Sequence, residues 1–337
     1  MRTLALIAAL ALSACATSAD PLHNEPPAVC VAGAHALSDG AWRDRALEAW
    51  RFARREIADI NVPANTQAVF FDADCAFTSP NALAARNARA VTWTATAHGD
   101  TVTLPDGQEI PAGVTSFTRG EGNASYFVMS APSVWRAGNV PPGPMGLETL
   151  MVAVMLHEAS HIAQSNTYGA RITALTQRYS LPDDFNDDSL QHDFEANAEF
   201  SASVSRETEL FFQAAAATDR GEALRLARQA RDMMKARAAR WFVADKAYYN
   251  EAEDLWLTME GSGQWVGYQW LINPRGGGVP VATAMPAFGM RSRWWSQHEG
   301  LAIALTLDRL GPRDWSRHAF GDGSQTLLQM VDAALAR

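Results

Sequence analysis

The chain is poor in cysteine, in basic charge and in long apolar runs, and each shortage removes a class of protein. Cysteine occurs three times in 337 residues, at positions 15, 30 and 75. None has a second cysteine at metal-like spacing, which argues against a thiolate zinc site or a redox dithiol. Lysine and arginine number 28 against 37 aspartates and glutamates, a formal net charge of −9. That balance argues against nucleic acid or an anionic membrane as the main partner. No apolar run reaches spanning length, and the N-terminal one, Leu4 to Leu12, is too short to cross a bilayer. There is no internal repeat, no low-complexity block beyond an alanine bias, and no propeptide or cysteine-switch motif.

The N-terminus speaks to compartment. A short basic start, Met1 and Arg2, leads into the Leu4–Leu12 stretch and then Leu12-Ser13-Ala14-Cys15. This resembles a bacterial lipobox, which implies cleavage before Cys15, lipidation of that cysteine, and the lipid as the chain's only membrane anchor. Residue 16 is alanine where many inner-membrane lipoproteins carry aspartate, so the expected address is the outer membrane facing the periplasm. The alternative is an ordinary signal peptide cut near Ala19, giving a soluble periplasmic or secreted protein. In either case Cys30 and Cys75 enter an oxidising compartment, where a disulfide between them is expected. It would close a loop of about 45 residues and contribute about 2–4 kcal/mol.

The remaining chain is long enough for one large domain or two lobes. Residues 1–19 read as signal and tether start, 20–168 as an α+β lobe, and 169–337 as a mainly helical lobe. Helical spacing covers 41–59, and Ala68–Phe71 is a short buried strand. Val91–Ala97 and Thr101–Leu104 alternate around His98-Gly99-Asp100 as a hairpin would, and Pro105-Asp106-Gly107 marks a turn. Residues 124–130 form another strand before the Pro/Gly stretch 141–146. Beyond a break at 181–184, helices are expected over 189–217, 219–250, 294–310 and 324–335. Trp256–Gly278, where tryptophan mixes with glycine, reads as loops beside a cleft.

The densest chemical signal is His157-Glu158-Ala159-Ser160-His161. Residues four apart share a helix face, so His157 and His161 can offer two imidazole nitrogens to one metal. Glu158 stands beside them to accept a proton from an activated water. Leu150, Met151, Val152, Val154, Met155 and Leu156 lead in, Ile162 and Ala163 follow, and neither proline nor glycine interrupts 147–168. The motif with its uncharged flanks resembles the zincin metallopeptidases. The metzincin continuation, Gly at 164 and His at 167, is absent, since Gln164 and Thr167 stand there.

A tetrahedral site needs a third protein ligand. The next acidic helix, Gln191 to Phe200, places Glu195 and Glu199 four apart. This resembles the gluzincin arrangement and implies Glu195 as third ligand and Glu199 as the carboxylate that hydrogen-bonds a ligating histidine. His192, Asp193 and Glu199 itself compete for the third position. The resemblance implies one Zn2+ per chain, a peptide or protein substrate, and a zincin-like lobe with a small mixed or antiparallel sheet. It also implies an edge strand that aligns the substrate, for which Tyr126–Ser130 is the candidate. His298, then Arg293, Tyr248 and Tyr249, are candidates to stabilise a developing oxyanion. The activity implied is zinc-dependent peptide hydrolysis in the cell envelope. The alternative is a non-catalytic zincin-like lipoprotein serving as a binding or assembly factor, and zinc amide hydrolysis on peptidoglycan is a weaker third.

Overall fold

The computed structural model describes residues 30, 35–87, 91–120, 124–289 and 294–337. The lipobox with Cys15, and Arg293, lie outside the described residues. The fold is α+β, a small mixed sheet joined to a larger helical part. Helix α1 (Ala36–Glu56) buries Trp42, Leu47, Trp50 and Ala53 and ends on Arg54 and Arg55, where cations suit the helix dipole.

Among the described residues seven strands follow: β1 (Gln67–Phe71), β2 (Cys75–Ser79), β3 (Thr94–Ala97), β4 (Thr101–Thr103), β5 (Glu109–Pro111), β6 (Ser116–Arg119) and β7 (Tyr126–Ser130). Five form one sheet in the order β3-β2-β1-β7-β6, with β1 parallel to β7 and the other pairs antiparallel. The expected hairpin between 91 and 104 is not formed. β3 pairs with β2, whereas β4 pairs with β5 across the Pro105–Gly107 turn, where Gly107 takes φ +80°. The alternation around Gly99 therefore marks a change of sheet. Tyr126–Ser130 is a strand as expected, but an inner one, buried throughout between β1 and β6. Its backbone is already paired on both sides and cannot take up a peptide; β6 is the edge next to it.

The helices are α2 (Pro132–Ala137), α3 (Leu147–Gln164), α4 (Ala170–Tyr179), α5 (Ser189–Phe194), α6 (Ala198–Ala216), α7 (Arg220–Trp241), α8 (Tyr249–Ile272), α9 (Val281–Ala284), α10 (Trp295–Leu310) and α11 (Leu327–Leu335). A π-turn, Ser165–Gly169, joins α3 to α4, so the expected lobe boundary at 168/169 falls inside a nearly continuous helical run. One apolar core runs from Trp42 through Met151 and Leu156 to Leu301 and Val331. Both halves of the chain share it. None of the described helices is long and apolar enough to cross a membrane.

The largest departure from expectation is α8. Residues 249–272 form a helix buried on nearly every side, where 256–278 reads in sequence as loops. Its glycines serve close packing. A Cβ at Gly261 would lie 2.4 Å from the carbonyl carbon of Gly300, so α8 and α10 meet backbone to backbone. A Cβ at Gly263 would lie 3.1 Å from His157 Nδ1, which brings α8 directly against the helix carrying the histidines. Cys30 and Cys75 are free thiols, with Cys30 close enough to hydrogen-bond Cys75. They are neighbours without the expected bridge.

Candidate metal centre

α3 owes its shape to burial. Thirteen of its eighteen residues are buried, with the sheet on one side and α8 on the other. Thr118 of β6 donates a 2.6 Å hydrogen bond to the Glu158 carbonyl, which pins the helix at the motif. One helical turn then brings the two imidazoles together, Nε2 to Nε2 at 3.2 Å.

The carboxylate that meets them is Glu260 of α8. Its Oε2 lies 3.1 Å from His157 Nε2 and its Oε1 3.3 Å from His161 Nε2. Among the described residues, His157, His161 and Glu260 form a group of potential metal-ligand side chains whose donor atoms all lie within 4.8 Å of one another. Glu158 follows His157 on the same helix, and all four residues are 4 % exposed or less.

Hydrogen bonding settles the His161 tautomer. Gln164 Nε2 donates to Ser262 Oγ at 2.7 Å and to the Ala319 carbonyl at 3.3 Å. The amide oxygen must then face His161 Nδ1, 3.0 Å away, so Nδ1 carries the proton and Nε2 presents a lone pair. That lone pair points at a second imidazole nitrogen and a carboxylate oxygen in a buried space. Such convergence calls for a proton on His157 Nε2 or a cation among the donors. Tetrahedral zinc with bonds of ~2.0–2.1 Å would hold its ligand atoms roughly 3.3–3.4 Å apart, close to the separations found. The donor set and its spacing fit a zinc ion.

Electrostatics give the members different roles. Burial, then the charges of Glu260 and Asp187, pushes the Glu158 carboxyl well above the usual range. Burial would raise Glu260 as well, but His161 and His157, with hydrogen bonds from His157 and Gln297, bring it below its ordinary value. Burial lowers His161, favouring the neutral imidazole that a metal requires. Gln297 of α10 reaches Glu260 Oε2 at 3.4 Å and is itself contacted by Gln264.

The other sequence candidates lie elsewhere. Glu195 is exposed and outside the cluster, 3.4 Å from Gln191 Nε2. Glu199 is exposed and ion-paired with Arg240, so it does not orient a histidine; Gln164 holds that position. The reason is local. Asn197 accepts from the backbone N–H groups of Glu199 and Phe200 and caps α6, which breaks the expected continuous helix and turns both glutamates to solvent. Asp193 accepts from Tyr249 at 2.8 Å and pairs with Lys246, and exposed His192 meets the Trp294 ring edge-on. Tyr248 and Tyr249 pack with Phe185 in a separate apolar cluster, and His298 lies against Phe212.

Glu260 and Gln164 were the site residues that sequence reasoning missed. A signal for Glu260 exists, since no proline interrupts 249–272 and Leu255, Met259, Gly263 and Val266 recur at helical spacing. The glycines concealed it. Comparison with protein families, with curated proteins and with solved structures finds no match for this chain.

Proposed function

We propose that this chain is a zinc metallopeptidase of the gluzincin kind acting on peptide bonds in the bacterial cell envelope. The observation that carries this reading is the convergence of His157, His161 and Glu260 with Glu158 beside them, on two buried helices. His157 and His161 would hold zinc through Nε2 and Glu260 through its carboxylate. Zinc bound there supplies Lewis acidity and makes water a nucleophile near neutral pH. Glu158 accepts the proton from the attacking water and passes it to the leaving amine nitrogen.

Gln164 fixes the His161 ring and Gln297 steadies Glu260, which keeps the donor atoms in place before metal arrives. The envelope address and the lipid anchor at Cys15 rest on the lipobox-like segment.

One observation favours the second reading, a non-catalytic factor with a structural metal. Structural zinc sites are closed, whereas catalytic ones keep an open position, and the four residues here are almost fully buried. One experiment separates the two. Zinc content is measured in wild type, Glu260→Ala, Glu195→Ala and Glu158→Gln, alongside cleavage of a mixed peptide library. The proposal expects about one zinc per chain in wild type, Glu195→Ala and Glu158→Gln, and its loss in Glu260→Ala. Hydrolysis should fall by roughly 10²–10⁴-fold in Glu158→Gln. Zinc binding with no cleavage by wild type would favour the structural site, and full activity in Glu158→Gln would sink the mechanism.

A further inference from the structure

A second feature shares no residue with the metal centre and has no part in the reading above. A cavity of about 200 Å3 lies between α1, the end of β1 and the turn into β2. Trp42, Phe70, Phe71 and Phe77 give it an aromatic wall, and Arg43 and Asp72 bring opposite charges to it. Asp74, also in the lining, is exposed, so the cavity communicates with solvent.

Arg43 is held without being satisfied. Its Cζ lies over two rings, 4.7 Å from the Phe77 centroid and 4.3 Å from that of Trp93. Ring faces attract the charge but offer the N–H groups no oxygen. Among the described residues the guanidinium makes no hydrogen bond and no ion pair, and its Nε is buried without a partner. Arg54, on the same helix, gives its guanidinium to the carbonyls of Ile60 and Leu83. Burial lowers the Arg43 pKa, and the charges of Asp44 and Asp72 offset that only in part. The carboxylates of the wall are placed differently. Asp39 gives both oxygens to Ser133. Asp72 Oδ1 accepts from the backbone N–H groups of Asp74 at 2.9 Å and Cys75 at 2.8 Å, which fixes the carboxylate and leaves Oδ2 without a hydrogen bond among the described residues. A guanidinium and a carboxylate thus line one cavity without pairing with each other.

The chemistry of the wall selects the guest. Arg43 calls for a carboxylate, the partner its planar fork suits best. A bare anion would meet Asp39, Asp72 and Asp74 as well, and a bare cation would meet Arg43. A molecule that carries both charges satisfies both ends, and the four rings ask for an apolar body between them. A cavity of roughly 150 Å3 takes up benzene, so the space here suits one ring or one branched aliphatic chain. We propose that this cavity binds a free α-amino acid with a large apolar side chain. Its carboxylate meets the Arg43 guanidinium, its ammonium group faces Asp72 Oδ2, and its side chain lies against Phe70, Phe71 and Phe77. A residue inside a peptide has neither charge, so the site selects the free amino acid.

Calorimetric titration of the full chain with L-leucine and L-phenylalanine tests this. Saturable binding of at least one is expected, with a melting temperature that rises as ligand is added. Isocaproate and hydrocinnamate lack the ammonium group, and isoamylamine and phenethylamine lack the carboxylate. Each should bind about 10-fold more weakly, or worse, than the matching amino acid. Arg43→Met keeps an apolar stem beside the rings and should weaken binding by a similar factor. Asp72→Asn keeps Oδ1 as the acceptor for the turn, loses the charge, and should weaken binding likewise. Zinc content should change in neither variant, since the cavity shares no residue with the metal centre. If Arg43→Met fails to fold, Asp72→Asn and the four analogues still decide. No binding of either amino acid at millimolar concentration overturns the site. Full affinity in both variants places the ligand elsewhere and overturns it too. Isocaproate or hydrocinnamate binding as tightly as its amino acid overturns the role of Asp72 and, with it, the ligand class.

Discussion

Two groups of buried charge lie in the same helical body, and they solve the same problem differently. Around Arg237 stand Glu207, Glu253 and Glu299. The guanidinium meets Glu207 at 2.7 Å and Glu253 at 2.8 Å, with the Phe200 ring centroid 4.8 Å away. Burial alone would lower the arginine, but Glu253 and Glu207 hold it above its ordinary value, so the cation stays charged. His157 and His161 face Glu260, with Glu158 beside His157 on the helix and, among the described residues, no arginine or lysine ion-paired to them. The first group carries its own cation. The second has three donors within 4.8 Å of one another and no arginine or lysine ion-paired to them among the described residues.

The widest split between the groups should come from removing the central charge of the first. Arg237→Met leaves three carboxyl groups buried without a cation and should cost about 3–5 kcal/mol in denaturant unfolding. Added zinc should not restore that loss. Zinc should instead raise the stability of wild type with the logarithm of the zinc excess, and fail to do so in Glu260→Ala. Zinc that fully rescued Arg237→Met would mean the two groups are one coupled network.

A region remote from both serves as control. Cys30 and Cys75 are adjacent thiols, and burial with the neighbouring Cys30 pushes Cys75 up to about 12, so Cys75 is not a ready nucleophile at neutral pH. Oxidised protein should show no free thiol at these positions, and its reduction should lower stability by about 2–4 kcal/mol without changing zinc content. Two titratable thiols in protein isolated from an oxidising compartment would refute the bridge.

The glycines on α8 test how tightly the second group depends on helix contact. Gly261→Ala forces a methyl into the Gly300 backbone and should cost about 1–3 kcal/mol. Gly263→Ala presses on the His157 ring at 3.1 Å and should weaken zinc more than it lowers the melting temperature. Equal losses of zinc in both variants would show that α8 moves as a rigid piece.

These helices also show what could be read from sequence and what could not. α3 was legible because its signal is periodic and local: two histidines and a glutamate within five residues, apolar flanks and no breaker. β1, β3, β4 and β7 were legible for the same reason, whereas β2, β5 and β6, short strands without a distinct pattern, were not. Pairing was less so, since β3 and β4 look alike along the chain and differ only in which partner they meet. Glu260 was obscured because glycine lowers helix propensity, and only a tertiary contact, backbone against Gly300 and His157, explains its presence. Glu195 misled by spacing, although the Asn197 cap that separates it from Glu199 was visible in the sequence.

The smallest expected effect is also the one that best separates the two groups, because it reads their protons. Glu158 and Glu299 are both held well above the ordinary carboxyl value of 4.5, chiefly by burial. A carboxyl raised in the folded state keeps a proton that the unfolded chain releases above about pH 4.5. Its contribution to stability is therefore complete below that pH and is lost as pH rises toward the folded value. Metal-free wild type should accordingly be less stable at pH 8 than at pH 5, and both Glu158→Gln and Glu299→Gln should flatten that decline. Zinc distinguishes them. A dication beside Glu158 favours its ionised form, so in zinc-loaded protein Glu158→Gln should no longer change the slope. Glu299, neutralised within the Arg237 group, should keep its share of the slope with or without zinc. Denaturant unfolding at pH 5, 6.5 and 8, with and without metal, reads all four cases, and a zinc-sensitive Glu299→Gln would show that the two groups are coupled.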